Sequence, residues 1–400
     1  MKSTLISCVF VFNFMLSFSQ NVWLQKSNFP GTNRDDGIAF SINNMGYFGT
    51  GRQANFLMTK DFWQYNPATN TWLQVADFGG IERQYACSFT IGQYAYVLTG
   101  VDINLVSYND LWQYDAVADT WTQKASLPGS ARSAAVAFAI GNKGYIGTGR
   151  DNGLLLSDFW EYNPANDSWL QKADFGGTAR WVAVGFAVNG KGYIGTGVDS
   201  TTIFKKDFWE YDPATNQWTQ KADFAGTARN YAEGFTINNF GYISTGRDTN
   251  YNYQNDCWQY NSINDTWMKV ASIGGVSRKG VASFVIGNEA YVCAGIDSSN
   301  TRLNELWQYI ATVGISNSNS DNGITISSNF STQEINITFE KSRFKNMTVT
   351  LYDLSGRKIK SISTLNQNEI TITTEILISG IYIIEIQTVD SILRRKVFVQ

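Results

Sequence analysis

Tryptophan recurs in this chain at a nearly fixed interval, and that period restricts what the chain can fold into. One series falls at Trp23, Trp72, Trp121, Trp169, Trp218 and Trp267, and a second at Trp63, Trp112, Trp160, Trp209, Trp258 and Trp307, in steps of 48 or 49 residues. Phe40, Phe89, Phe138, Phe186, Phe235 and Phe284 keep the same interval, as do Arg34, Arg83, Arg132, Arg180, Arg229 and Arg278. Six copies at one period make a repeat protein, in which each unit buries its apolar face only against its neighbours.

Each unit reads as four short strands. In the third, Arg132 to Ile140 is rich in small residues and leads to Gly144-Tyr145-Ile146-Gly147-Thr148-Gly149. After a loop come Asp158-Phe159-Trp160-Glu161-Tyr162-Asn163-Pro164, a turn at Asn166-Asp167, and Trp169-Leu170-Gln171-Lys172. Four strands in one such unit specify a propeller blade rather than a solenoid turn. Small residues on the first strand suit a crowded axis, and bulky aromatics suit the wider outer strands. The twelve periodic Trp are expected in the core.

These units resemble the kelch repeat over residues 21 to 310. The matching features are glycine at the end of the second strand, an aromatic strand ending Tyr-Asn-Pro or Tyr-Asp-Pro, a turn, and a Trp opening the fourth strand. Where kelch units usually carry adjacent glycines this chain has Gly147-Thr148-Gly149 and its counterparts, and Gly100 and Gly295 keep only the last Gly. Val22-Trp23-Leu24-Gln25-Lys26 is a fourth strand that arrives before any first strand, while the last unit stops after Leu306-Trp307-Gln308-Tyr309. The N-terminal strand is therefore expected to complete the sixth blade and remove the free edges. The fold expected is all-β: a six-bladed kelch-type β-propeller over 20–311, then a small β-sandwich.

Both ends read as addresses. Residues 1–19 have the form of a secretory signal peptide: Lys2, an apolar run from Leu5 to Phe14, and small Ser17 and Ser19 before Gln20. The run is too short for a transmembrane anchor, and no transmembrane segment is expected elsewhere. Residues 312–322 form a polar linker, and 323–400 carry alternating segments at Ile335 to Phe339, Met347 to Leu351, Glu369 to Thr373, Ile381 to Ile386 and Lys396 to Val399. Leu351-Tyr352-Asp353-Leu354-Ser355-Gly356-Arg357-Lys358-Ile359, Ile378-Ser379-Gly380-Ile381-Tyr382 and the terminal Arg395-Lys396-Val397-Phe398-Val399-Gln400 resemble the C-terminal sorting domain of type IX secretion. The resemblance implies that the type IX machinery of a Gram-negative cell handles residues 323–400 and delivers the protein outside the cell or to its outer surface. The Asn-Pro turn usual at that domain's start is missing.

Composition then narrows the chemistry. The chain has no His, which removes the commonest metal ligand and general base. Ser-His-Asp hydrolysis and imidazole-ligated copper oxidation are excluded, and no metal, cofactor or catalytic residue is assigned. A net charge of −3 leaves no basic footprint for nucleic acid. Beyond Cys8, the thiols Cys87, Cys257 and Cys293 lack metal-ligand spacing and read as small buried hydrophobes, with a Cys257–Cys293 pair left open.

Function is expected where the units differ. The loops between second and third strands vary in sequence and carry apolar residues: Phe56, Leu57 and Met58, Leu154 to Leu156, Ile203 and Phe204, Tyr251 and Tyr253. They either form a binding surface or fold back onto the blade rim. After the conserved-in-repeat glycine, Arg52, Arg150 and Arg247 alternate with Val101, Val198 and Ile296, and Asp follows in five units. That pattern is either three Arg–Asp pairs between blades or an anion-reading mouth. The sixfold series that includes Arg180 reads as an inter-blade tie. Trp181 replaces a polar residue, and Tyr85 and Tyr231 stand one place further along in their units. The candidate ligand-binding residues are thus Arg52, Arg150, Arg247, Arg180, Trp181, Tyr85 and Tyr231. The leading expectation is a monomeric binding protein with a protein or glycan ligand. The alternative is a carbohydrate-active enzyme similar to six-bladed kelch-like sialic acid epimerases, with Glu233 moving a proton.

Overall fold

A computed structural model describes residues 22–311 without a break and, beyond them, 324–329, 334–339, 346–353, 356–365, 369–373, 377, 380–388 and 392–399. The expected signal segment 1–19, Cys8 and the linker 312–322 lie outside the described residues. The chain divides into a unit spanning Asn21–Ala311 and a C-terminal unit from Thr312.

The first unit holds six four-stranded antiparallel sheets. Five run in chain order, for example Val136–Ile140, Lys143–Gly147, Phe159–Asn163 and Ser168–Lys172. In the sixth, Ala282–Ile286, Glu289–Cys293 and Leu306–Ile310 are completed by Val22–Lys26, which pairs Trp23 with Tyr309 and Gln25 with Trp307. The first strands adjoin in a closed cycle, from Ile38–Ile42 through Cys87–Ile91 round to Ala282–Ile286 and back. This is a propeller.

Blades pack through aromatic stacks. Phe40, Tyr47 and Phe62 of the first blade meet Tyr114 and Trp121 of the second, with Phe62 and Trp121 ring centroids 5.1 Å apart. Each such Phe lies over a Gly or Ala in the second strand of the next blade. A Cβ on Gly144 would fall within 2.2 Å of Phe89, and one on Gly192 within 2.3 Å of Phe138. Phe62, Tyr65 and their counterparts are fully buried. Of the twelve periodic Trp only Trp23 is buried; the other eleven are less buried than expected and remain half-covered. Fourth-strand indoles make the inter-blade ties: Trp72 Nε1 donates to the Ser27 carbonyl, and Trp121 Nε1 to that of Ala76.

The sixfold Arg residues act differently from the tie expected of them. Each guanidinium stays within its own blade, where it clamps the acid that opens the third strand. Arg180 is wholly buried and donates to both oxygens of Asp207 at 2.7 Å, to the Thr196 carbonyl and to the Thr178 carbonyl. The same acid accepts the third-strand indole, as Asp207 does from Trp209. Cys87, Cys257 and Cys293 are free and buried, so the Cys257–Cys293 pair is not formed. Burial pushes the Cys87 thiol up to about 12.

The C-terminal unit has a three-stranded sheet, Ile324–Asn329, Glu334–Phe339 and Glu369–Thr373, and a four-stranded one ordered Lys358–Leu365, Asn346–Asp353, Gly380–Thr388, Ile392–Val399. Ile335, Ile337, Val349, Leu351, Ile372, Ile384 and Ile386 form its core. Ile324–Asn329 and Lys358–Leu365 were not read from the sequence as strands. Their polar runs of Ser, Thr and Lys hide the alternation.

Candidate functional site at the loop face

Two residues before each first strand, the chain turns into the axis. Asp36, Tyr85, Ala134, Val182, Tyr231 and Gly280 occupy this place in the six blades, all at positive φ. Their backbones form a closed ring. Asp36 N–H donates to Gly280 C=O, Tyr85 to Asp36, Ala134 to Tyr85, Val182 to Ala134, Tyr231 to Val182 and Gly280 to Tyr231, at 2.8–3.3 Å. Tyr85 and Tyr231 come from opposite blades, and their hydroxyls meet at 3.4 Å over the axis. The ring and this tyrosine pair floor the mouth that the variable loops surround.

The floor has two unlike halves. On the side of the third to fifth blades, Ala134, Val182 and Val198 form an apolar cluster with Trp181, Phe204, Tyr85 and Tyr231 packed on it. Trp181 meets Tyr231 edge-on, with centroids 6.1 Å apart. On the side of the first and sixth blades lies a cavity of about 350 Å³ lined by charge, including Asp35, Asp36, Arg52, Lys279 and Arg302. Arg302 Nε pairs with Asp35 at 2.6 Å, and both side chains are almost fully buried. Burial and the neighbouring Asp35 push the Asp36 carboxyl well above the usual carboxylate range, against the pull of Lys279 and Tyr85.

The predicted residues separate accordingly. Arg52, Arg150 and Arg247 make no ion pair among the described residues, so the expected Arg–Asp pairs between blades are absent. Each guanidinium instead lies over an aromatic ring: Arg52 over Phe56 at 4.4 Å, Arg150 over Trp181 at 5.0 Å, and Arg247 over Tyr251 at 4.9 Å. Aspartate stands at the next place in five of the units, and Asp102 and Asp248 shape their own loops. Asp102 Oδ1 accepts the N–H groups of Asn104 and Val106, and Asp248 Oδ1 those of Asn250 and Asn252. Arg180 drops out as a ligand contact, because it is wholly buried and committed to Asp207. Trp181, Tyr85 and Tyr231 are brought together at the floor, with Arg150 and Arg247 above them. Sequence reasoning missed Asp36, Lys279 and Arg302, and named Tyr253 only as one of the apolar loop residues. Their sequence signal was variability: the Lys279 and Arg302 places carry a different residue in each blade, and the Asp36 place holds Asp, Tyr, Ala, Val, Tyr and Gly.

Glu233 does not line the cavity. It opens its first strand where other blades have Ile38, Cys87, Val136, Val184 and Ala282, and faces the seam with the sixth blade. Ser283 Oγ donates to its Oε1 at 2.7 Å. Burial pushes its pKa up to about 7, partly offset by that hydrogen bond.

The apolar loop residues divide: Met58, Leu155, Leu156, Phe204 and Tyr253 are half-buried, while the tips do not fold back. Phe56, Leu57, Ile103, Leu105, Val106, Leu154, Ile203 and Tyr251 are all exposed, Leu105 by 73% and Tyr251 by 67%. Five of the six loops thus present apolar side chains to solvent. The sixth, Ser298 to Thr301, is polar.

Comparison with known proteins agrees with this architecture. Residues 7–180 match the KLHDC2/KLHL20/DRC7 Kelch-repeats domain, and residues 329–400 match the Secretion system C-terminal sorting domain. A search of curated proteins finds no match. Among solved structures, one titled "Structure of YjhT" is similar with a TM-score of 0.61 and 14% identity, over 70% of this chain and 95% of that one. At that identity the likeness concerns the fold. The kelch match ends at Arg180, yet the same strands continue at the same period to Ile310.

Proposed function

We propose that the chain is an exported binding module that holds a protein or glycan ligand on the face formed by the six variable loops. Export is supported by the match to a secretion sorting domain at the C-terminus. Binding rests on one observation above the others: five loops on a stiff six-bladed frame expose large apolar side chains around one charged cavity. Apolar surface gathered in this way and rimmed by polar groups marks interaction sites, and loops on a rigid scaffold are where binding residues concentrate.

Loop-tip substitution tests this reading. Leu105→Ser combined with Leu154→Ser removes two exposed side chains that support no core, so thermal stability should stay within a few degrees. Binding on a glycan array, or cross-linking to a surface partner on the exporting cells, should fall by at least about tenfold, the scale of two lost apolar contacts. Unchanged binding would remove the loop face from consideration. Turnover of a sugar by mutarotation, lost in Glu233→Gln, would overturn the binding reading in favour of an enzyme.

A further inference from the structure

We propose that the cavity between the first and sixth blades is a site for a small carboxylate ligand, held between Arg52 and Lys279. The proposal rests on the reading of the loop face as the binding face and names the ligand chemistry of one part of it. At about 350 Å³ the cavity lies near the lower end of small-molecule pockets, so the ligand is a single sugar or amino acid in size rather than a chain.

Charge decides the class of ligand. Three cations, Arg52, Lys279 and Arg302, line the cavity against two acids, Asp35 and Asp36. The buried Arg302–Asp35 pair cancels itself, and Arg302 Nε also donates to the Arg52 carbonyl at 2.9 Å. Arg52 and Lys279 then face Asp36 alone. Burial and Asp35 disfavour the ionised form of Asp36. Burial lowers the Lys279 pKa, with Arg247 and Arg302 adding to the effect and Asp36 and Asp35 opposing it. With the Arg302–Asp35 pair set aside, two cations line the cavity with one acid whose ionised form burial disfavours, and an entering anion balances them.

Geometry selects a carboxylate. Phe56 covers the flat face of the Arg52 guanidinium, which leaves its edge for a ligand, and a guanidinium edge matches a carboxylate with two parallel hydrogen bonds. Arg52 Nε is buried without a hydrogen-bond partner, a donor that costs free energy until something accepts from it. Lys279 Nζ is placed 4.1 Å over the Tyr231 ring and lines the same cavity as Arg52. Phe56, Tyr253 and Ile296 supply apolar wall for the rest of the ligand.

Ligand-observed NMR titration of the full chain tests the site, with glucuronate and benzoate against their neutral counterparts glucose and benzyl alcohol. Both carboxylates should bind more tightly than the neutral molecules, and added salt should weaken them. Arg52→Met and Lys279→Met should each weaken binding by about tenfold or more, the scale of one charged hydrogen bond. Asp36→Asn, a residue that tolerates the left-handed backbone at this place, should tighten binding at pH 8. Unfolding temperatures within a few degrees of the parent show that the variants are folded. No preference for carboxylates, unchanged binding in both cation variants, or displacement by inorganic phosphate at equal concentration would each overturn the proposal. If carboxylates fail while the loop-tip variants still lose their macromolecular ligand, this site falls and the loop-face reading stands. If carboxylates bind as described while the loop-tip variants keep that ligand, the broader reading falls and this site stands.

Discussion

Glu233 shows how one residue changes the chemistry of a repeated position. In the other blades an apolar side chain fills the seam; here a carboxyl does, satisfied by Ser283 and held at a pKa of about 7. An unfolded glutamate titrates near 4.5, so the folded chain holds this proton more tightly. The stability Glu233 contributes is complete below about pH 4.5 and is lost as pH rises through 7, a change of roughly 3 kcal/mol at most. Glu233→Gln should melt higher than the parent at pH 8 and close to it at pH 5 in calorimetry. Equal gaps at the two pH values would show that the carboxyl is not buried as described. The acids clamped by the repeated arginines work in the opposite sense. Burial disfavours the charge on Asp61, Asp158, Asp207 and Asp256, but the hydrogen bonds and charge of their arginines hold them below the usual carboxylate range. Their contribution is present above about pH 4 and fails only as pH drops further.

At the scale of the element, the reversal after each second strand sets the loop face. Gly197 has φ of 85°, and a Cβ there would lie 2.8 Å from the Trp181 carbonyl oxygen. Gly190 also has positive φ, yet has open space around its missing Cβ. Gly190→Ala should therefore cost about 1 kcal/mol for backbone strain alone, and Gly197→Ala about 2–3 kcal/mol because the carbonyl must also move. Urea unfolding separates the two; equal losses would mean that the close approach does not matter. The strands that carry this reversal were legible, because aromatic and small residues recur at fixed places and six copies reinforce one another. The roles of the repeated polar groups were not. Arg180 and Trp72 recur equally often, and periodicity alone cannot tell a clamp within a blade from a tie between blades. Only the partner atoms, the Asp207 carboxylate and the Ser27 carbonyl, distinguish them.

At the scale of the whole molecule, the chain closes on itself through Val22–Lys26. Five ladder positions join it to Leu306–Ile310, and Trp23 Nε1 donates to the Ala271 carbonyl of the fifth blade. Deleting residues 20–27 should leave Leu306–Ile310 as an open apolar edge. The truncated chain should melt well below the parent and self-associate in sedimentation; a monomer of unchanged melting temperature would show that closure does not depend on this strand. Sequence by itself determined the strands of the repeats, the repeat period, the excluded imidazole chemistry and the sorting signal at the C-terminus, because each follows from composition or from residues near one another in the chain. The charged cavity was a different matter. Asp35 and Asp36 stand about 245 residues from Lys279 and more than 260 from Arg302, and in their own units they pass for ordinary variable positions. Ring closure alone puts the first blade beside the sixth, and so only the tertiary structure decided that these four charges share one wall.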